Sequence, residues 1–175
     1  ISVPFILVCA WSLGSIVKGM GTSEFLIHIV EHYLTPGMVP ALVFLFGALI
    51  SFSTGSSWGV WSIMMPIAFP MAVAFDISIP FVVGAVIGGG LFGDQCSPIS
   101  DTTIMASAGA QCNHINHVST QVPYVLTVAA ISFVTYTIAG FVQNVVICLV
   151  IGILLTLATL VVLKRVFGEK AVVRK

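Results

Sequence analysis

The sequence predicts an all-α integral membrane protein, a helix bundle with one re-entrant hairpin and one discontinuous helix. Of its 175 residues, 58% are hydrophobic and only 7% are charged, against roughly a quarter charged in a soluble domain. The mean hydropathy is +1.15, and several apolar runs reach the length needed to cross about 30 Å of hydrocarbon. Polar tracts containing glycine or proline interrupt two of these runs. Such interruptions predict broken or re-entrant helices, because continuous spanning helices have no need of them.

Charge is scarce and unevenly placed along the chain. Six Lys and Arg balance six Asp and Glu, so no basic surface remains for a phosphate backbone, and nucleic acid is excluded as a partner. No Lys or Arg lies between Lys18 and Lys164, whereas five acids do: Glu24, Glu31, Asp76, Asp94 and Asp101. An ionised carboxylate at membrane depth needs a counter-charge. The candidates are a proton, a metal cation, an amine substrate, or a basic residue from a part of the protein outside this sequence.

The beginning of the chain argues against a signal peptide, and the cysteines argue against a disulfide framework or a zinc ribbon. The sequence starts inside an apolar segment without Met and lacks a basic leader region, so we expect a fragment of a longer protein and no signal peptide. The four cysteines have no CxxC spacing, which predicts neither a disulfide framework nor a zinc ribbon. They are Cys9, Cys96, Cys112 and Cys148.

The first half of the chain predicts one span, one interfacial helix and one hairpin. Residues 3–17 are apolar and end before two glycines, and residues 22–34 have an apolar face opposite a face of Glu and His, typical of an interfacial helix. Two apolar stretches within residues 38–75 flank the polar tract 51–59. Each stretch has about 15 to 18 residues, so a re-entrant hairpin fits as well as two full spans, and we prefer the hairpin. Pro66 and Pro70 predict a kink in its second arm.

The second half predicts a broken helix followed by two ordinary spans. Residues 81–111 contain GxxxG spacings, which permit close helix packing, and a polar tract around Pro98, so we expect one discontinuous helix. Residues 121–141 and 143–163 predict conventional spans. The tail 164–175 carries five basic residues and one acid, so the positive-inside rule places the C-terminus in the cytoplasm.

The polar break predicts a cation site. Asp94 and Asp101 flank a stretch of hydroxyl groups, and hard cations prefer oxygen ligands. Desolvation favours a protonated carboxyl group and a bound cation favours the ionised form, so sodium and a proton are the expected occupants. Asp101 also fits a helix N-cap, and the small residues of the hairpin tip also fit plain packing. The expected ion-binding residues are Asp94, Asp101, Ser97, Ser100 and Thr102 at the break, and Ser53, Thr54 and Ser57 at the tip.

Other polar residues receive less specific interpretations. His114 and His117 lie near Cys112 but lack a fourth ligand and paired spacing, so we expect a solvated loop or a pH-responsive loop rather than zinc. Two intramembrane aspartates also occur in membrane proteases, yet here both lie on one segment and the first glycine of GxGD is missing before Asp94. We therefore expect transport rather than enzymatic activity, with no cofactor and no tightly bound metal.

The polar break and its flanks resemble the NhaC-type sodium/proton antiporter family. The similarity covers residues 93–103, with Gly-Asp-Gln-Cys-Ser-Pro-Ile-Ser-Asp-Thr-Thr, and continues through the His-Ile-Asn-His-Val block at 114–118. The tract 53–59 and the segment 11–14 resemble earlier blocks of the same family, in register with the C-terminal part of a longer member.

This resemblance implies sodium/proton exchange across the plasma (inner) membrane, with Asp94 and Asp101 at the family's acidic positions. It also implies one repeat of the ion-transporter superfamily fold, completed by a missing N-terminal half or by a homo-oligomer partner within the lipid bilayer. Two alternatives stay open. One is a sodium- or proton-coupled carrier of an organic acid or amino acid, and the other is a non-transporting membrane subunit or a truncated family copy.

Overall fold

The computed structural model describes residues 35–172 continuously, with side chains to residue 165, and only isolated positions among the first 34 residues. The predicted first span at 3–17 and the predicted interfacial helix at 22–34 therefore lie outside the described residues.

All regular secondary structure in the described part of the chain is helical, without strands. A 3-10 turn at Pro36–Met38 precedes six helices, which are α1 (Val39–Thr54), α2 (Ser57–Ala74), α3 (Ile79–Cys96), α4 (Asp101–Gly109), α5 (His114–Val142) and α6 (Val145–Val172). Five of them, all except α4, are long and apolar enough to cross a membrane.

The buried core lies where α1 and α2 pack against α3. Among its largest fully buried side chains are Val39, Val60, Val82 and Val86. Glycines on α3 let α1 approach closely, because a Cβ atom at Gly93 would lie 2.6 Å from Ser51 Cβ. Gly84 and Gly88 instead face Tyr136 of α5. The close approach predicted from the GxxxG spacings is confirmed, and the two glycine pairs serve two different neighbours.

Helices α3 and α5 run antiparallel, and polar contacts join them at both ends. Near the start of α3, Gln143 Nε2 donates to the Asp76 carbonyl at 3.3 Å. Near its end, Gln121 Nε2 donates to Gln95 Oε1 at 3.3 Å. Between them, Tyr136 Oη donates to the Gly84 carbonyl at 2.8 Å. These contacts fix the position of α3 along the axis of α5.

The structure refines several predicted boundaries. The break after α3 occupies residues 97–100, inside the predicted polar tract, and divides the segment into arms of 18 and 9 residues. The hairpin turns at Gly55, and α2 continues through Pro66 and Pro70, the prolines for which the sequence predicts a kink. Helix α6 extends beyond the predicted end of the last span.

Candidate functional site

The tip of the α1–α2 hairpin lies directly against the break that follows α3. Ser97 Oγ donates to the Phe52 carbonyl at 2.8 Å. Gly55 ends α1 with a φ of 66°, in the left-handed region that glycine adopts most readily. A Cβ atom there would lie 2.8 Å from the Ile99 carbonyl oxygen. The hairpin tip and the break therefore form one contact region.

Asp94 is the buried carboxylate of this region. Its side chain is 2% exposed, and it contacts two hydroxyl groups, one from the last residue of the break and one from the first turn of α4. Ser100 Oγ lies 2.6 Å from Oδ1, and Thr102 Oγ1 lies 3.2 Å from Oδ2. The two hydroxyl oxygens are 2.7 Å apart. These three side chains form a closed ring of contacts, which we call the Asp94 ring.

The Asp94 ring has three contacts, and the hydroxyls of Ser100 and Thr102 supply two hydrogens for them. One contact of the ring is therefore left without a hydrogen from the hydroxyl groups.

The backbone around the ring supplies fixed partial charges. Ser100 is the N-cap of α4, fully buried, and its Oγ accepts from the Thr103 amide at 3.4 Å. The N-terminus of α4 places partial positive charge beside Asp94, while the last carbonyls of α3 place partial negative charge there. No Lys or Arg occurs in residues 19–163. The electrostatic partners of Asp94 in this stretch are thus backbone dipoles and hydroxyls.

The other predicted ion-binding residues lie outside the ring. Asp101 is exposed, and its Oδ1 accepts from the Thr102 amide at 2.8 Å. Ser53 and Thr54 are exposed at the tip, with hydroxyls that donate to carbonyls one turn back in α1. Ser57 is 5% exposed, at the first residue of α2. The structure thus brings Asp94, Ser100 and Thr102 together, while Ser97 links the break to the tip.

Thr103 follows the ring as the next hydroxyl residue of the polar stretch. It is 3% exposed, and within the part of the chain that the structure describes its Oγ1 is the one buried side-chain oxygen or nitrogen without a hydrogen-bond partner. An orphaned buried hydroxyl costs about 1–3 kcal/mol. Its position in the sequence, directly after Thr102, indicated that this hydroxyl group lies near the ring.

A second polar cluster joins α4, the break and α5. Ser107 Oγ contacts His114 Nδ1 at 3.0 Å and His117 Nδ1 at 2.8 Å, and lies 2.8 Å from the Thr103 carbonyl oxygen. His114 Nε2 lies 2.7 Å from the Pro98 carbonyl oxygen. We call His114, His117 and Ser107, with these two carbonyls, the histidine cluster.

The histidine cluster corrects one expectation. We expect His114 and His117 in a loop from the sequence, whereas both lie in the first turns of α5. Asn113 caps that helix, since its Oδ1 accepts from the Asn116 amide at 3.1 Å. An Asn followed by an apolar helical pattern is typical of a helix start, so the sequence already indicated that α5 begins here. In a helix, His114 and His117 lie on one face because they are three residues apart.

The chain is similar to the members of a known protein family. The model of the Na⁺/H⁺ antiporter family matches residues 1–141. An uncharacterized protein of Haemophilus influenzae is 45% identical over 78% of the chain, which covers 26% of that relative. The malate-2H⁺/Na⁺-lactate antiporter of Bacillus subtilis is 26% identical over 77% of the chain and 28% of its own length.

A further relative is named for different substrates. The arginine/ornithine antiporter ArcD of Halobacterium salinarum is 29% identical over 78% of the chain, which covers 28% of that protein. The chain thus spans about a quarter of the length of the curated relatives it matches. No solved structure matches it.

The family match covers the hairpin, the break and most of α5, so it includes both the Asp94 ring and the histidine cluster. It is a family of transporters rather than enzymes, in agreement with the five helices able to cross a membrane. This multi-pass membrane chain belongs to the Na⁺/H⁺ antiporter family.

Proposed function

We propose that the chain is the ion-binding part of a sodium/proton antiporter, in which Asp94 alternately holds a proton and sodium. The observation that carries this proposal is a carboxylate 2% exposed at a helix break, closed by two hydroxyl groups. The stretch 19–163 supplies no Lys or Arg to neutralise it. A buried carboxylate in that setting needs a mobile cation.

The dimensions of the ring explain why the two ions compete. Ligand oxygens at about 2.4 Å from a hard cation, at right angles, are separated by roughly 3.4 Å. Ser100 and Thr102 oxygens are 2.7 Å apart, which suits a shared hydrogen. Binding sodium therefore requires that Asp94 lose its proton and that the two hydroxyls separate. One site then exchanges one cation for another, because both cannot occupy it together.

The remaining predicted ligands have proposed roles around the ring. Thr103 has the unpartnered hydroxyl that a slightly expanded site requires as a further oxygen ligand. Asp101 is exposed one residue before Thr102, and we assign it to the entrance of the site, where it attracts cations. Ser53, Thr54 and Ser57 at the tip, with Ser97 behind the ring, complete the polar surround.

The finer architecture belongs to the same proposal. We propose that α1 and α2 form a re-entrant hairpin whose tip meets the α3–α4 break inside the protein, as in one repeat of the ion-transporter superfamily fold. The contact between Ser97 and Phe52 supports it, since a tip exposed at a membrane surface would lack such a partner. The proposal includes an NhaC-type subfamily, residence in the plasma (inner) membrane and a cytoplasmic C-terminus. A second half of the protein, or a second copy, completes the transport path.

A solute-coupled carrier is the second candidate function. The Bacillus subtilis relative is an antiporter of malate with protons against sodium and lactate, and the Halobacterium salinarum relative exchanges arginine and ornithine. The amides at the N-terminus of α4 offer a place for a substrate carboxylate. Sodium-driven proton movement that occurs only when such a solute is present would favour this candidate.

The test uses the full-length gene product that contains this sequence, reconstituted in liposomes with an internal pH dye. An inward sodium gradient should alkalinise the interior of the wild-type liposomes, and Asp94→Asn should abolish the signal. Asp76→Asn is the matched control, because Asp76 is exposed in the turn before α3 with a φ of 52°, which Asn tolerates. If Asp94→Asn still exchanges sodium for protons, the proposed site is wrong.

A further inference from the structure

His114 bridges the break and α4 through its two ring nitrogens. Nε2 lies 2.7 Å from the Pro98 carbonyl oxygen, and Nδ1 lies 3.0 Å from Ser107 Oγ. A carbonyl oxygen only accepts, so Nε2 carries the ring hydrogen of a neutral His114, and the Ser107 hydroxyl group donates to Nδ1. His117 Nδ1, at 2.8 Å, then donates to Ser107 Oγ. Both rings satisfy these contacts in the neutral form.

The Pro98 carbonyl depends on this contact for its position. The break has no helical ladder, and its own amides make two backbone hydrogen bonds, from Ser97 N to Asp94 O at 3.1 Å and from Ser100 N to Ser97 O at 3.3 Å. Within the part of the chain that the structure describes, the one hydrogen-bond partner of the Pro98 carbonyl is His114. A side chain of α5 therefore holds the middle of the break.

Three contacts, from three different helices, hold the break in place. Ser97 Oγ donates to a carbonyl of the hairpin tip at 2.8 Å, and Ser100 Oγ contacts Asp94 Oδ1 of α3 at 2.6 Å. The contact from His114 falls between these two in sequence. Pro98 is two residues before Ser100, so a shift of the Pro98 peptide group moves Ser100 with it.

His114 is well placed to act as an anchor, because its own position is fixed. It is the first residue of α5, a helix of 29 residues. Asn113 caps this helix, since its Oδ1 accepts from the Asn116 amide at 3.1 Å. The contact of the ring with Ser107, which is 3% exposed, fixes the orientation of the imidazole.

We propose that His114 is a positioning residue of the sodium site, which acts through Pro98 on the hydroxyl group of Ser100. This role rests on the proposed exchange at Asp94. With the tether from His114 to Pro98 in place, the break keeps Ser100 beside Asp94. Without the tether the break samples other conformations, and the apparent sodium affinity falls in proportion to the fraction of molecules that stay competent to bind. His114 contacts no sodium ion itself, since both of its nitrogens are already engaged.

The first experiment separates positioning from stability by measuring exchange rate against sodium concentration. The full-length gene product that contains this sequence is reconstituted in liposomes at fixed pH. His114→Ala removes the donor to Pro98, so the half-saturating sodium concentration should rise roughly 2- to 10-fold, as expected for one lost hydrogen bond. A variant that only folds less well has fewer active molecules. Its maximal rate falls, and its half-saturating concentration stays unchanged.

Two further variants identify the tether as the cause. His114→Gln keeps an amide that can donate to the Pro98 carbonyl and an oxygen that can accept from Ser107, so it should restore a sodium dependence close to the wild type. His117→Ala is the matched control, because it removes another contact of the same cluster and leaves the tether intact. A wild-type half-saturating concentration in His114→Ala would overturn the proposal, and so would an equal rise in His117→Ala.

The second experiment observes the tether without transport. The full-length gene product is labelled with ¹⁵N-histidine in lipid nanodiscs, and NMR spectra are recorded at about pH 8.5, where an ordinary histidine is neutral. The signals lost in His114→Gln identify His114. We expect a hydrogen on Nε2 and none on Nδ1. The opposite tautomer would overturn the proposal, because Nε2 could not then donate to Pro98.

The two experiments together distinguish failure of this role from failure of the proposed function. A wild-type protein that shows the expected tautomer but no sodium-driven exchange would refute the proposed function and, with it, the role of His114. Wild-type exchange together with an unchanged sodium dependence in His114→Ala would refute the role of His114 alone.

Discussion

Replacing Ser100 with Ala removes the hydroxyl group at the centre of the proposed sodium site. Ser100 is fully buried, and its Oγ lies 2.6 Å from Asp94 Oδ1 and 2.7 Å from Thr102 Oγ1. It also caps α4. A hydrogen bond to a charged group contributes about 1.5–3 kcal/mol, and an N-cap contributes about 1 kcal/mol. The substitution is therefore expected to lower both the sodium affinity and the free energy of unfolding, and the two effects can be measured separately.

The two costs appear in different measurements. The cap is lost with and without sodium, so it lowers stability without changing the sodium affinity. The contact with Asp94 is lost from the proposed ion site itself, and the part of that loss that falls on the sodium-bound state lowers the sodium affinity. Since about 1.4 kcal/mol corresponds to a factor of ten, the half-saturating sodium concentration of Ser100→Ala should rise roughly 10- to 100-fold.

The assay is sodium-dependent exchange in liposomes at fixed pH, with thermal unfolding measured in parallel. Ser119→Ala is the matched control, because Ser119 is exposed on α5 and its Oγ donates to the carbonyl one turn back. This control should leave the sodium dependence unchanged. If Ser100→Ala lowers stability but keeps the wild-type sodium dependence, Ser100 is only a helix cap and the Asp94 ring is not the sodium site.

Three further predictions concern the fold and its orientation. Gly55→Ala should lower the unfolding temperature, because a left-handed alanine costs about 1–2 kcal/mol and its Cβ would lie 2.8 Å from Ile99 O; an unchanged temperature would refute the tip geometry. Gly93→Ala should cost about 1–3 kcal/mol by overpacking α1, whereas Gly109→Ala, which has nothing within 4 Å, should be neutral in the same unfolding assay. In a protein with no other cysteine, exposed Cys112 should react with a membrane-impermeant maleimide only from the cytoplasmic side; labelling from outside would reverse the proposed orientation.

Composition and local pattern were enough to predict the helices and the position of the break. Membrane-spanning helices can be predicted from apolar runs of sufficient length, because each apolar side chain is stabilised in the hydrocarbon core without tertiary contacts. The break followed from Pro98 among hydroxyl residues, and the helix indeed stops at Cys96 and resumes at Asp101. Both features are local, so the sequence contains their causes.

The composition of the Asp94 ring could be predicted only in part. Asp94 and Asp101 lie at the two ends of the same polar tract, yet one is 2% exposed and the other is exposed. The difference arises because α3 packs its glycine face against α1 and carries Asp94 into the interior, while Asp101 begins a new helix that points its carboxylate outward. Burial of this kind depends on how helices pack, which residue types alone do not specify.

The histidine cluster was missed for a similar reason. Ser107 looked like one small residue in an apolar helix, and its partners lie 7 and 10 residues later. Only the reversal of the chain between α4 and α5 brings them together. The capping residue Asn113 could have moved the predicted start of α5 to His114, but the contact with Pro98 across 16 residues needed the fold.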